Sequence, residues 1–527
     1  MAAKRESRIC AAEATGGGSP IVGRLMDLPA PWRNRPMLQS ARGVLSFGAM
    51  RESMLRFAGW LGREAGIGPG CRVALCLPKG LEAAQAIHGI LAAGAAYVPL
   101  QFQGAPARLA AALASIRPQL LIASSAAAAR IAAAAAPGQM ETLRLQRIEP
   151  EDQGFERLLS ASPPADGMAP VASDALAAVY FTSGSSGEPK GVMLSHGNIG
   201  ADMDWIARFH QMSASDRRIS QAGLHYISSL DLFYPLLAGS CLFLPEDREM
   251  MFPEKMVELL ERDRTTIWSS TISELRLLLE RGELGRRDLS CLRRIGFYGE
   301  QMPVRLLRSL MEALPRAEFV NMYGTTETSE IAYYPVPRPL PGSLSSLPLG
   351  RPTEICTLSL RDADGNEVAP GGIGEICVSG PAVTLGYWDD AGLTEAKRVQ
   401  GAPGSFRTGD LGIMGDDGQL RLLGRRDQLV KLRGHRLDLG EVEAVLRSHP
   451  QVRDAVAFTV TTPTGEQTVD ALVLAEAPPG LADELRLLCL RRLPSFARPR
   501  RIIGLPEFPF LPSGKIDRRR LQARALE

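Results

Sequence analysis

The sequence lacks the cysteine spacing by which metal centres and disulfide frameworks are recognised. Its eight cysteines run from Cys10 to Cys489 with no CxxC pair and no His-rich neighbour. This argues against a zinc site or a stapled secreted scaffold, and the thiols read as reduced, as in a cytoplasmic protein. A charge imbalance is also missing. The 60 basic and 58 acidic side chains leave a net charge of +2 with no long single-sign block, so no nucleic acid partner is expected. No apolar run, Gly89 to Leu100 included, approaches the roughly 18 to 20 residues that cross a bilayer, so no membrane partner is expected either. Residues 1–20 are polar and glycine-containing without a signal-peptide core, and read as a disordered tail. What is present is 527 residues with 45% apolar content, too much chain for one core, so at least two domains are expected.

Strand and helix patterns alternate over most of the chain. Arg72 to Leu77, Gly80 to Ala93 and Ala95 to Leu100 read as a βαβ unit. Further strands are expected at 119–123, 241–244, 265–268, 292–297 and 318–321, with helices at 254–261 and 304–314. Such alternation predicts an α/β fold with parallel-type sheets covered by helices. The alanine-rich 105–136 segment favours helix, although its low complexity sets no register. From about Gly350, glycine, aspartate and proline punctuate short strands at 374–378 and 420–423, which predicts a small antiparallel β subdomain. Beyond Arg426 the order is strand 429–432, helix 440–448, strands 455–460 and 469–475, helix 481–492 and strand 501–504. That is a small α+β unit. The expected division is tail 1–20, core 21–426 and C-terminal lid 427–527.

One stretch carries unusual chemistry: Tyr180-Phe181-Thr182-Ser183-Gly184-Ser185-Ser186-Gly187-Glu188-Pro189-Lys190-Gly191. Hydroxyls, glycines and a lysine behind an apolar strand suit phosphate binding, because backbone amides there can turn inward together. It is not the Walker pattern, since Pro189 stands where the second glycine belongs. A flexible linker has the same composition. Four further polar segments fall at junctions of the pattern: Asn321-Met322-Tyr323-Gly324-Thr325-Thr326-Glu327, Arg407-Thr408-Gly409-Asp410, the run from Gly424-Arg425-Arg426-Asp427 through Lys431-Leu432-Arg433-Gly434, and Pro512-Ser513-Gly514-Lys515-Ile516-Asp517. Singly, each has a plain structural reading. Tyr323 could be a core tyrosine, Asp410 a turn former, Asp427 a surface-loop residue and Lys515 part of a solvated basic tail.

In order and in residues, the five segments together resemble the adenylate-forming superfamily of acyl-CoA synthetases, luciferases and nonribosomal-peptide-synthetase adenylation domains. Leu91 to Leu100 matches a further motif of that group. The wording from Arg436 to Glu443 and at His449-Pro450 is similar to stand-alone peptide-synthetase-type and D-alanine-ligase-like enzymes. The resemblance implies a large domain of two αβ sheets plus the antiparallel subdomain, topped by a mobile C-terminal domain. It also implies ATP, Mg²⁺ and a phosphopantetheine thiol as reactants.

Position by position, it implies that Thr182, Ser183, Gly184, Ser185, Ser186 and Gly187 flap over the phosphates with Lys190 as anchor. Tyr323 would stack on adenine and Asn321 would bond its amine, with Gly324 and Thr325 beside them. Thr326 would approach the α-phosphate, and Glu327 would be the metal carboxylate. Asp410 and Arg425 would take the ribose, and Lys515 would be the catalytic cation. Asp427 matches the hinge, and Lys431 and Gly434 match the thiol tunnel. Intact Glu327 and Lys515 argue against a nucleotide-binding protein without turnover.

The resemblance also places the acid pocket at His225, Tyr226, Leu230, Trp268, Gly296, Tyr298, Met322, Glu330 and Ile331. Relatives that activate α-amino acids carry a carboxylate where Tyr226 stands, and a phenol cannot neutralise an ammonium ion. Glu330 in a mostly apolar wall would welcome an amine or hydroxyl on the substrate, unless it faces water. His225 is either a gate or a satisfied core histidine. An aryl, β-amino or ω-amino acid is therefore expected, delivered to a carrier protein in trans or, alternatively, to CoA. A monomer or homodimer is expected.

Overall fold

The computed structural model describes residues 19–136, 138, 140–141, 143–149, 153–182, 189–299, 302–342, 344, 346–362, 364–402, 404–425, 429–432, 435–462, 466–476, 480–509, 516, 520–522 and 525. Among these residues, two large mixed sheets form the body. The first has seven strands in the spatial order Gly386–Tyr387, Lys190–Ser195, Leu176–Thr182, Ala96–Pro99, Arg72–Cys76, Leu120–Ala123 and Leu145–Arg147. Its last five strands run parallel and the first two join antiparallel. Leu120–Ala123 is buried at all four positions, as a strand covered on both faces must be.

The second sheet has nine strands in the order Arg351–Pro352, Ser329–Pro335, Glu318–Thr325, Arg294–Tyr298, Ile267–Thr271, Arg217–Ile219, Cys241–Phe243, Pro36–Ser40 and Gly43–Ser46. Its centre is parallel and its edges antiparallel. Helix Phe47–Arg63 buries Met50, Met54, Phe57 and Leu61 along one stripe. The Ser46 hydroxyl caps it, accepting from the Ala49 amide at 3.2 Å, a contact worth about 1 kcal/mol. Helix Leu81–Ala92 crosses it at Gly89, where a Cβ would sit 2.7 Å from the Phe57 ring. Only glycine admits that approach.

Thr357–Arg361, Ile373–Ser379, Ser405–Met414 and Leu420–Arg425 form the antiparallel subdomain. After it come the hairpin Leu429–Leu432 with His435–Asp438, helix Leu439–Arg447, helix Leu481–Arg492, and a sheet of Asp454–Thr461, Gln467–Leu474 and Arg501–Leu505. These C-terminal elements bury cores of their own, around Leu437, Val442, Leu446 and Leu485 and around Phe458, Leu472 and Leu521.

Several boundaries differ from the sequence pattern, because tertiary pairing extends strands past their apolar centres. The 318–321 strand runs on through Thr325, and the 265–268 strand lies instead at 267–271. Alanine-rich 105–136 divides into helices Pro106–Ile116 and Ser125–Ala132 around a buried strand. No helix among the described residues is long and apolar enough to cross a membrane.

Candidate active site

The phosphate-loop stretch is flanked by an antiparallel pair, with Thr182 opposite Lys190. It therefore joins two strands of one hairpin, not a strand to a helix. Ser183, Gly184, Ser185, Ser186 and Gly187 lie outside the described residues. Thr182 and Lys190 stand half-buried at the loop's two ends, and Thr182 faces the main cavity.

The Asn321–Thr325 motif is strand. Gly324 sits at a register shift, opposite Glu330, where a Cβ would fall 1.8 Å from the Ser329 carbonyl oxygen. The resulting bulge turns Thr325 and Thr326 toward the cavity. Tyr323, 5% exposed, donates its hydroxyl to Asp410 Oδ2 at 2.5 Å. The phenol thus fixes the carboxylate from a neighbouring sheet. Asp410 stands mid-strand with Arg425 as its Cα partner. Asn321 Nδ2 donates to the Pro348 carbonyl at 2.8 Å. Glu327 is 1% exposed, and its Oε1 accepts from the Tyr387 hydroxyl at 2.8 Å.

Sequence reasoning missed the support behind Asp410. Glu375, buried, takes both Nε and Nη2 of Arg407 at 2.9 and 2.6 Å and accepts the Gly409 amide at 3.1 Å. Oε2 takes both Arg407 bonds and Oε1 the Gly409 amide, and these charge-assisted contacts set the strand at the residue next to Asp410. Its signal was the alternation in Gly374-Glu375-Ile376, a carboxylate inside an apolar strand.

The main cavity has a volume of about 370 Å³, in the range of small-ligand pockets. Thr182, Thr326, His225, Tyr226, Leu230, Tyr298, Met322 and Glu330 all line it. The remaining three pocket expectations are corrected. Trp268 belongs to a separate apolar core and reaches the cavity only through Gln221, whose Oε1 accepts its Nε1–H at 2.7 Å. Gly296 is packed under Met322 Sδ and Ser269. Ile331 is fully buried in the main core, because neighbours on a strand point to opposite faces and Glu330 takes the cavity side.

His225 is pushed down to about 3 by burial, with His435 and Arg108 adding repulsion, so it stays neutral. Burial raises the Tyr226 hydroxyl well above its ordinary range. That hydroxyl pairs with His435 Nδ1 at 2.7 Å, and the His435 ring stacks on Phe496 at 4.1 Å. His435, Pro494 and Phe496 thus bring C-terminal elements onto the cavity. Arg108 and Glu441 tie the same halves together at 2.5 Å. Asp427, Gly434 and Lys515 lie outside the described residues, while Lys431 falls in strand Leu429–Leu432 opposite Arg436.

Asp202, Glu274, Gln221 and Tyr234 also line the cavity and were not expected. Glu274 accepts from Gln221 Nε2 at 2.8 Å and is pushed up to about 7 by burial, with Lys79 opposing. Asp202 is 1% exposed on helix His196–Phe209. A capping box between Ser195 and Asn198 starts that helix, at 3.0 and 2.8 Å. Its buried stripe reads Ile199, Asp202, Met203, Ile206, and a carboxylate on an apolar stripe was the available signal.

The profile described as AMP-binding enzyme matches residues 29–388, and that of the AMP-binding enzyme C-terminal domain matches 441–515. The L-proline–[L-prolyl-carrier protein] ligase of Pseudomonas fluorescens is 30% identical over 496 residues, covering 94% of this chain and 97% of that protein. The ligase of the same name from Streptomyces coelicolor is 32% identical over 474 residues, covering 86% and 87%. The amide bond synthetase McbA of Marinactinospora thermotolerans superposes with a TM-score of 0.82 at 26% identity, over 96% of this chain and 99% of that one. The chain belongs to the AMP-binding enzyme family. As such it is an AMP-forming ligase of acids and thiols that works with ATP and Mg²⁺.

Proposed function

We propose that this enzyme adenylates a small carboxylic acid of the aryl, β-amino or ω-amino class and loads it onto the phosphopantetheine thiol of a carrier protein in trans. The observation that carries the substrate class is Tyr226. Where α-amino-acid-activating relatives keep a carboxylate, this pocket presents a phenol already bonded to His435, and nothing at that position neutralises an α-ammonium group.

The first step joins a carboxylate oxygen to the α-phosphorus and breaks the bond to pyrophosphate, so the protein must align the two and stabilise the charge that accumulates. Thr182, Ser183, Gly184, Ser185, Ser186, Gly187 and Lys190 are assigned to the phosphates, Thr326 to the α-phosphate and Lys515 to the developing charge. Tyr323, Asn321, Gly324 and Thr325 are assigned to adenine, and Asp410 with Arg425 to the ribose. Glu327 fits Mg²⁺, which takes one or two carboxylates alongside phosphate oxygens and waters. Among the described residues no cluster of three ligating side chains competes with it. When bound, the ion neutralises phosphate charge.

In the second step the thiol sulfur bonds to the acyl carbon, the bond to AMP breaks and the thiol proton leaves. Lys515 and the thiol both need the acyl end, so the unit from Asp427 is proposed to reorient, with Lys431 and Gly434 lining the thiol path. Asp427→Pro is expected to leave adenylate formation intact while slowing thioester formation; equal loss of both steps would overturn the hinge.

The experiment for the whole reading is pyrophosphate–ATP exchange over an acid library, followed by mass spectrometry with holo-carrier protein or CoA. Exchange with aryl, β-amino or ω-amino acids and thioester on the carrier are expected. Exchange with ordinary α-amino acids alone overturns the substrate class, and thioester on CoA alone overturns the acceptor.

A further inference from the structure

The acid cavity ends in two carboxyl groups from different elements, Asp202 of helix His196–Phe209 and Glu330 of strand Ser329–Pro335. Asp202 is 1% exposed, and no protein donor reaches its Oδ1. Its Oδ2 has the Tyr234 hydroxyl at 3.5 Å, a long contact. Burial pushes both carboxyls upward; the neighbouring Glu330 raises Asp202 further, while the hydrogen bond from Asp202 and the charge of Arg218 oppose the rise at Glu330, so Asp202 carries the proton between them. Glu274 adds a third carboxyl to the same wall.

Among the described lining residues the permanent cation is Arg108, and Glu441 already takes it at 2.5 Å. Arg218 does not line the cavity; it lies buried over the Tyr234 ring at 5.1 Å, and its charge acts on Glu330. The described cavity wall therefore carries three carboxyl groups and one cation, which is already paired. A buried carboxyl oxygen left without a partner is costly to keep unless a ligand supplies one.

We propose that Asp202 and Glu330 together form a binding site for an ammonium group at the far end of the substrate acid, with Asp202 as a specificity-determining residue. The substrate is then a carboxylic acid with a distal primary amine, long enough to reach from Thr326 to Asp202, and its ammonium group replaces the proton that the pair shares. Tyr234 and Tyr298 supply aromatic walls along the way. A neutral aryl acid would leave Asp202 Oδ1 unanswered. This rests on the adenylation reading and narrows it from three substrate classes to one.

The test is pyrophosphate–ATP exchange with matched acids that differ only at the far end: 4-(aminomethyl)benzoate, 4-(hydroxymethyl)benzoate and 4-ethylbenzoate, and 6-aminohexanoate against 6-hydroxyhexanoate and heptanoate. The wild type is expected to favour at least one ammonium member over its neutral partners by about tenfold or more in kcat/KM. Asp202→Asn and Glu330→Gln should each bring that ratio to within about twofold while exchange with the neutral partners persists. Persistent neutral exchange and an unchanged melting temperature distinguish lost recognition from lost folding. Exchange with neutral members at equal or greater efficiency overturns the ammonium site and leaves adenylation standing. An ammonium preference that survives both substitutions overturns the role of the pair. Absence of exchange with any acid, in this series and in the wider library, overturns the adenylation reading and this inference with it.

Discussion

The proposed nucleotide and acid sites are built in opposite ways. At the nucleotide end, the proposed groups sit in short runs of sequence and are locked by neighbours: Tyr323 to Asp410, Glu327 to Tyr387, and Glu375 behind both Arg407 and Gly409. At the proposed acid end, the lining residues come from three helices, the run at 221–228, several strands and the C-terminal unit, and Asp202 Oδ1 has no protein donor. A shared reactant needs a preformed, fully bonded frame. The groups proposed to meet the acid are perturbed ones: Glu274 near 7, His225 near 3, and Asp202 and Glu330 both raised.

That contrast breaks most sharply at Lys515. Lys515→Ala is expected to slow adenylate formation by about 10²- to 10³-fold, the usual cost of removing one charge-stabilising donor, while acyl transfer from preformed adenylate changes little. Single-turnover assays of the two half-reactions check it; equal losses would remove Lys515 from the nucleotide end. The locked frame is tested next by Glu375→Gln, which leaves Arg407 without its carboxylate partner and should destabilise the fold by about 3 kcal/mol. Denaturant unfolding measures this, and the same variant should raise KM for ATP more than KM for the acid.

The acid end is sharpened by pH. Glu274 is protonated up to about 7 in the folded protein, and ordinary carboxyls ionise well below that. Between those values the native state holds more protons than the unfolded chain, so stability falls as pH rises through the window. Lys79, itself lowered to about 8 by burial, opposes this and loses its charge only above it. Glu274→Gln should flatten the dependence of melting temperature on pH between about 5 and 7; an unchanged slope would separate Glu274 from the effect. The smallest effect is expected from Tyr226→Phe, which removes the bond to His435. One such hydrogen bond is worth about 1 kcal/mol, so thioester formation should slow about fivefold with adenylation nearly unchanged.

The boundary between what was legible and what was not follows the same division. The βαβ unit at 72–100, the antiparallel subdomain and the C-terminal order of elements could all be read from periodicity, while the residues proposed for the nucleotide end came from the resemblance of contiguous motifs, Asn321 to Glu327 and Arg407 to Asp410, to a known family. Their setting was read less well: Asn321 to Thr325 and Arg407 to Asp410 lie within strands that pairing extends, and Thr326 and Glu327 in the turn after the first. Trp268, Gly296 and Ile331 were placed in the pocket by spacing alone, and the pleat and packing of the strands turned each of them elsewhere.

What the chain's order of residues determined by itself is the family, the alternating architecture and the reactants common to it, because those depend on short motifs and on local repeat, which survive without knowledge of neighbours. Only the tertiary structure decided that Asp202 meets Glu330 and that His435 meets Tyr226. Those pairs are separated by 128 and 209 residues, and no local preference of the backbone specifies which distant side chains share a cavity.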